Sequence, residues 1–303
     1  MTTHKPKLIV ILGPTATGKS DLAVEIARQF NGEVVSADSR QVYRGLDIGS
    51  GKITKREMRG IPHHLLNVAN PKRPFSIAQY QRLATRAISG IIKRGKMPIV
   101  CGGTGFYIQS IIENTVLPNV PPNPTLRKEL SQKSVQELFT ILTMIDPERA
   151  QNIDAQNPVR LVRAIEIASL LGHVPKPSTK SSSYDVLQIG LTLPPDTLRK
   201  KIHLRLQKRL KQGMVAEGKR LHKDGLSWKR MRELGLEYRA LADHLTNTIT
   251  REEIEKRLFT EICQYTKRQM TWFKRNESIE WFTPTQTTRI VARVRKFLKA
   301  PQK

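Results

Sequence analysis

The octapeptide GPTATGKS stands between the apolar run KLIVIL, Lys7–Leu12, and the segment DLAVEIARQF. This placement constrains the fold more than any other feature. It reads as a central strand, a glycine-rich loop and an amphipathic helix, with Leu22, Ile26 and Phe30 near one helical face. The pattern is a complete G-x-x-x-x-G-K-S phosphate-binding loop. Gly13 and Gly18 permit its tight path around Pro14, Thr15, Ala16 and Thr17. Backbone amides of the loop and of the following helical turn point at phosphate oxygens. Lys19 adds a point charge, and the Ser20 hydroxyl can ligate Mg²⁺.

The loop does not say whose phosphate it holds. The terminal phosphate of ATP and a diphosphate leaving group present similar oxygens, so a nucleotide kinase and a prenyl transferase stand level here. No second acid follows a hydrophobic strand to hold metal: PIVCGG, the natural place, has none. That weighs against ATP hydrolysis.

Further strands read at GEVVSA, at PIVCGG and at VLQIGLTL, and SIAQYQRLATRAISGIIKRGK reads as a helix between the first two. Strands alternating with amphipathic helices predict a parallel α/β sheet. After Ile112 the character changes. NTVLPNVPPNPTLRK reads as a linker, only helices follow from Leu126 to Leu171, and HVPKPSTKSSSYD reads as a second connection. The expected organisation is a core over 1–112, a helical insertion over 113–184 and a return to the core over 185–303. A long basic helix is expected over DTLRKKIHLRLQKRLKQG. Another starts near Thr250, where Thr250 and Glu253 can form a capping box. WFTPTQTTRIVARVRKFLKA closes the chain as a short strand and a basic helix.

The 303 residues carry 52 Lys plus Arg against 26 Asp plus Glu, a formal charge of +26. So large an excess points to a polyanion as partner. Two cysteines, Cys101 and Cys263, fit no metal spacing and no disulfide framework, and read as small buried groups in a reducing compartment. No apolar run is long enough to span a bilayer and no signal-peptide pattern opens the chain, so a cytoplasmic protein without membrane contact is expected. With no self-association stripe evident, a monomer is expected.

GPTATGKS, SADSRQVYRGLDIG, IPHHLL, GGTGFY, NPVRLVRAIEI, the R-x-x-x-R of LRLQKR and TKRQMTWF follow one another through nearly the whole chain. Together they resemble the tRNA dimethylallyltransferases, also called tRNA isopentenyltransferases. The resemblance implies a P-loop kinase-like three-layer core with a parallel sheet, interrupted by a helical insertion domain. It implies transfer of a dimethylallyl group from dimethylallyl diphosphate to N6 of adenosine 37, next to the anticodon, in tRNAs reading codons that begin with U. The loop would then hold the leaving diphosphate with Mg²⁺, whatever ATP-binding its pattern suggests. Two departures stand out: DIGSGKI occurs where DIGTAKP is common, and GLEY replaces a more usual GY.

By the same resemblance Asp38 is the general base that takes the N6 proton, and Arg209 is a cation on the departing diphosphate. Without it, Arg209 could not be chosen over Arg199, Arg205 or Lys208. Thr104 matches a position near the transferred group and target base. Asp38, Ser39, Arg40, Gln41 and Thr104, with Arg127, Arg160, Arg163 and Arg232, match segments expected to touch the tRNA anticodon stem-loop. Phe106 and Tyr107 are expected either along the isoprenoid passage or in the core. Trp272 and Phe273 are expected in the core. His63 and His64 are expected in structural or supporting roles, with no zinc site around them.

Overall fold

The computed structural model describes residues 5–176, 178–179 and 182–301. The chain forms two compact units, Met1–Asn114 with Ser182–Lys303, and Thr115–Ser181.

The larger unit opens with β1 (Lys7–Leu12), α1 (Lys19–Gln29), β2 (Gly32–Ser36), α2 (Lys55–Met58), β3 (His63–His64), α3 (Ile77–Lys93), β4 (Met97–Gly102) and α4 (Gly105–Ile112). The smaller unit holds β5 (Thr115–Val116), α5 (Pro124–Leu130), α6 (Val135–Ile145), α7 (Pro147–Gln151), α8 (Pro158–Leu171) and β6 (Ser178–Thr179). The larger unit resumes with β7 (Asp185–Leu191), α9 (Pro195–Lys211), α10 (Met214–Lys223), α11 (Trp228–Glu233), α12 (Leu236–Leu245), α13 (Arg251–Phe273), β8 (Ile279–Phe282) and α14 (Thr287–Lys299).

Six strands form one sheet in the order β3-β2-β4-β1-β7-β8, all paired in parallel. β1 lies inside it, its six residues all buried. Because side chains alternate along a strand, Leu8, Val10 and Leu12 pack to one side with Tyr80, Ala84, Ile88 and Ile91 of α3. Ile9 and Ile11 pack to the other with Leu22, Ala23, Ile26 and Ala27 of α1 and Ile290, Val294 and Phe297 of α14. Helices therefore cover both faces, which gives three layers, and a strand buried on both faces explains why KLIVIL shows no polar alternation. The expected parallel α/β core with a helical insertion is the fold observed.

Crossovers between parallel strands leave the loops after β1, β2 and β4 at the same end of the sheet. Ligands of open α/β sheets bind at this end. The loop after β1 is the phosphate loop, the loop after β2 carries Asp38, and the loop after β4 leads to Thr104.

In the smaller unit α6 and α8 pack through Leu138, Leu142, Leu161 and Ile165. Its linker-like ends contain the antiparallel pair β5 and β6. Part of the connection expected over 173–185 lies outside the described residues. No helix among the described residues is long and apolar enough to cross a membrane.

Candidate active site

Gly13 follows β1 with φ +138°, and a Cβ there would collide with the Leu191 carbonyl. The chain then folds back on Pro14, whose carbonyl accepts the Thr17 hydroxyl at 2.9 Å and Lys19 Nζ at 2.6 Å. α1 begins at Lys19, directly after Gly18. Burial, aided by the nearby Arg205 charge, lowers the Lys19 ammonium to about 8, even though Cys101 and Asp38 pull it the other way. An anion bound beside it would raise that value and keep it charged to higher pH. The exposed Ser20 also borders the cavity.

The loop after β2 is held by its own acid. Asp38 Oδ1 accepts the Arg40 and Gln41 N–H groups at 2.8 and 3.2 Å. No hydrogen bond among the described residues uses its second oxygen. Thr104, at the start of α4, donates its backbone N–H to the Ala37 carbonyl at 3.1 Å and accepts the Ser39 N–H on Oγ1 at 3.1 Å. The hydroxyl thus stands behind the Asp38 turn and fastens it to the glycine loop after β4.

These loops enclose a cavity of about 150 Å³ bordered by Lys19, Asp38, Ser39, Arg40, Gln41 and Arg209. Two cations of α9 enter it. Arg209 is buried; its Nη1 donates to the Gly49 carbonyl at 2.6 Å and to Glu237 Oε1 at 3.0 Å, while its Nε has no partner. Arg205 donates to Thr15 Oγ1 at 3.3 Å and to the Gly51 carbonyl at 3.0 Å. Burial, with the neighbouring Arg209 charge, depresses the Arg205 pKa. The two arginines lie one helical turn apart on α9, so both reach the same side. Together with Lys19 they crowd positive charge around a site that an anion would relieve.

Several members of the cavity wall were not singled out as site residues from the sequence. Arg205 could not be separated from its neighbours in a basic helix. Gln269, within TKRQMTWF, accepts the Thr15 N–H at 3.0 Å and donates to the Gly103 carbonyl at 2.8 Å, so it ties the phosphate loop to the glycine loop. Tyr265 also borders the cavity; burial and the Asp38 charge push its hydroxyl up to about 12. The i, i+4 spacing of Tyr265 and Gln269 places both on one side of α13 and could have suggested the pair. The DIGSGKI departure has a local meaning too. A Cβ at Gly51 would collide with the Arg205 guanidinium, so this glycine leaves the space that Arg205 fills.

In the smaller unit Arg127 clasps buried Glu166 through two bonds of 2.6 and 2.7 Å, and Arg163 adds a third at 3.1 Å. Arg160 is exposed, with Asp154 at 3.6 Å. In the larger unit Arg232 pairs with Asp243 at 2.6 Å. Tyr107 is core, stacked on Tyr80 at 3.8 Å, whereas Phe106 is exposed against the edge of Trp272. Phe273 is buried, while Trp272 is only partly so and borders a separate cavity of about 200 Å³ that contains none of the catalytic candidates. His64 bonds Glu33 at 2.6 Å. Cys101 is buried beside the phosphate loop with its thiol pushed up to about 12 by burial, and Cys263 is only partly buried.

No group of three or more His, Cys, Asp or Glu side chains able to hold a metal occurs among the described residues. Ser20 offers an oxygen ligand beside the phosphate cradle, a donor suited to Mg²⁺ shared with a phosphate-bearing substrate.

Two family models match the chain, one described as isopentenyl transferase over residues 6–72 and one described as IPP transferase over residues 41–276. A tRNA dimethylallyltransferase of Anoxybacillus flavithermus is 38% identical over 96% of this chain and 95% of its own length. Treponema denticola tRNA dimethylallyltransferase 2 is 42% identical over 91% and 94%. Among solved structures, the full-length tRNA isopentenylpyrophosphate transferase of Bacillus halodurans is 36% identical and superimposes with a TM-score of 0.74 over 97% of each chain. A eukaryotic dimethylallyltransferase acting on tRNA is 26% identical, with a TM-score of 0.81 over 98% of this chain and 81% of its own. A phosphate cradle facing a carboxylate, within a fold and sequence shared along almost the whole chain, places this protein in the tRNA dimethylallyltransferase family.

Proposed function

We propose that the protein transfers the dimethylallyl group of dimethylallyl diphosphate to N6 of adenosine 37 in tRNAs reading codons that begin with U. The observation that carries this reading is the single cavity bordered by both Lys19 and Asp38, with Arg205 and Arg209 beside them. In the reaction the N6 lone pair forms a bond to the terminal allyl carbon as that carbon's bond to diphosphate oxygen breaks. The N6 proton passes to Asp38. Negative charge then grows on the bridging oxygen, where Lys19 and the α9 arginines oppose it. An adenine amine is a weak nucleophile because its lone pair feeds the ring, so a carboxylate that orients it and accepts its proton supplies what the substrate lacks. The Ser20 hydroxyl would hold Mg²⁺, which would supply charge neutralisation for the leaving group.

Thr104 serves by fixing the Asp38 turn. Ser39, Arg40 and Gln41 border the space where a flipped base and its neighbour would sit. Arg127, Arg160, Arg163 and Arg232 serve as RNA contacts. The helical insertion over 113–184 is assigned to tRNA, and the protein is assigned to the cytoplasm as a monomer. ATP is not a substrate in this scheme.

Purified protein with dimethylallyl diphosphate, Mg²⁺ and a panel of unmodified tRNAs should yield N6-dimethylallyladenosine at position 37, read by mass spectrometry of nuclease digests. Modification of tRNAs with other codon assignments would remove the codon restriction. Consumption of ATP with no prenyl mass on any RNA would remove the reaction itself.

A further inference from the structure

Glu217 of α10 is buried but borders neither cavity described above, and it makes no ion pair among the described residues. Its carboxylate is instead saturated by neutral donors. Oε2 accepts the Asp47 and Ile48 N–H groups at 3.0 and 2.7 Å. Oε1 accepts the Gly49 N–H at 3.0 Å and the Tyr238 hydroxyl at 2.9 Å. A buried charge is costly unless it is fully hydrogen-bonded, and three consecutive amides outside any helix or strand need acceptors. Each requirement meets the other here. The fit is close, since a Cβ on Gly49 would lie 2.7 Å from Tyr238 Oη and 3.2 Å from Glu217 Oε1.

The turn that Glu217 grips is the one that aims Arg209. The Gly49 carbonyl accepts Arg209 Nη1 at 2.6 Å, and because Arg209 Nε has no partner, this carbonyl and Glu237 are the guanidinium's only hydrogen-bond partners among the described residues. We propose that Glu217 is a positioning residue for departure of diphosphate. It locks the Asp47–Gly49 amides, and through the Gly49 carbonyl it holds Arg209 towards the leaving group. This rests on the reading of the cavity as a diphosphate site.

The test uses the full chain and four readouts: binding of inorganic diphosphate with Mg²⁺ by calorimetry, kcat, KM for unmodified tRNA, and the urea midpoint. Glu217→Gln keeps the shape but replaces one acceptor oxygen with an amide that repels backbone N–H groups. We expect diphosphate affinity to fall about tenfold and kcat roughly 10²-fold, the scale of a small misplacement of a reacting group, with KM for tRNA unchanged within about twofold. In an Arg209→Gln background the same change should cost no more than about a further twofold, because coupled residues are not additive. A purely structural role would lower the urea midpoint without this pattern. Wild-type diphosphate affinity in folded Glu217→Gln, or its full loss repeated on top of Arg209→Gln, would overturn the proposal. Should Glu217→Gln fail to fold, Gly49→Ala pushes the turn off the same carboxylate and must give the same pattern; unaltered diphosphate binding there overturns it equally. If the wild-type protein itself does not bind diphosphate, the cavity reading fails, an outcome distinct from any result on Glu217.

Discussion

Asp38 has two oxygens in different surroundings: Oδ1 accepts the Arg40 and Gln41 amides, and the other has no hydrogen bond among the described residues and is the one the proposed scheme uses. Asp38→Asn preserves the turn, since the amide oxygen can still accept both N–H groups, but it cannot take a proton. Diphosphate affinity should therefore stay within about twofold, while single-turnover transfer falls by about 10²–10⁴-fold; near-normal transfer would remove Asp38 from the base role. Lys19 sets a pH limit of the opposite kind. Its ammonium, lowered to about 8 chiefly by burial, is charged below that pH and neutral above it. Diphosphate binding to the free enzyme should thus be strongest below about pH 8 and weaken as pH rises through it. Bound anion holds the proton in place, so the complex should lose it only at higher pH. Calorimetric titrations from neutral to alkaline pH check this, and a flat affinity would contradict it. Both side chains were legible in sequence because the loop pattern and the SADSRQVY segment mark them. Arg205, Gln269 and Tyr265 were not, because their roles depend on which faces of α9 and α13 turn inward, and a basic helix with many cations hides that choice.

Elements differ in how openly the sequence declares them. β1, β2, β4 and β7 are apolar runs bounded by turn residues, and α3 and α13 carry Ser76 and Thr250 capping boxes, so each could be read locally. β3, β5 and β6 are two residues long, too short for a period to show, and exist because a neighbouring strand supplies their hydrogen bonds. The helices α10 to α12 follow one another with short connections, and α11 spans only six residues. The packing of α11 on α12, of α12 on α13 and of α10 on α9 and α12 is a tertiary fact that no local pattern states. The α13 cap gives a test at this scale. Thr250→Ala should lower stability by about 1 kcal/mol, read as a urea midpoint shift, with kcat unchanged because the cap lies at the far end from Tyr265 and Gln269. The edge of the sheet gives another. Burial alone would raise the Glu33 carboxyl of β2, but hydrogen bonds from Arg94, His64 and Lys96 outweigh it and hold the group at about 2, against an ordinary 4.5. Its stabilisation is complete above its unfolded value and is lost as pH falls towards about 2. Between about pH 5 and 3 the wild type should lose more stability than Glu33→Gln; equal losses would contradict this.

At the scale of the whole molecule, a formal charge of +26 accompanies a small cavity of about 150 Å³. The two should respond differently to salt. Contacts to RNA phosphates release counterions, so tRNA affinity falls linearly with salt on logarithmic axes, by about 0.7 per phosphate for single strands. With several phosphates contacted, tRNA binding should weaken about tenfold or more between roughly 50 and 200 mM salt, while the KM for dimethylallyl diphosphate changes far less. Filter binding and initial rates measure the two, and a tRNA affinity indifferent to salt would separate the charge from the function. The parallel sheet makes the chemistry possible by ending β1, β2 and β4 at one rim, where the phosphate loop, Asp38 and the Thr104 support converge. The most direct measurement of that claim is a single turnover with dimethylallyl diphosphate, Mg²⁺ and unmodified tRNA, quantifying released diphosphate and prenylated adenosine together. Equal amounts of both from the wild type, and neither from an Asp38→Asn protein that still binds diphosphate, are the results predicted. Diphosphate released without prenylated adenosine, or prenylation that survives loss of the carboxylate, would contradict it.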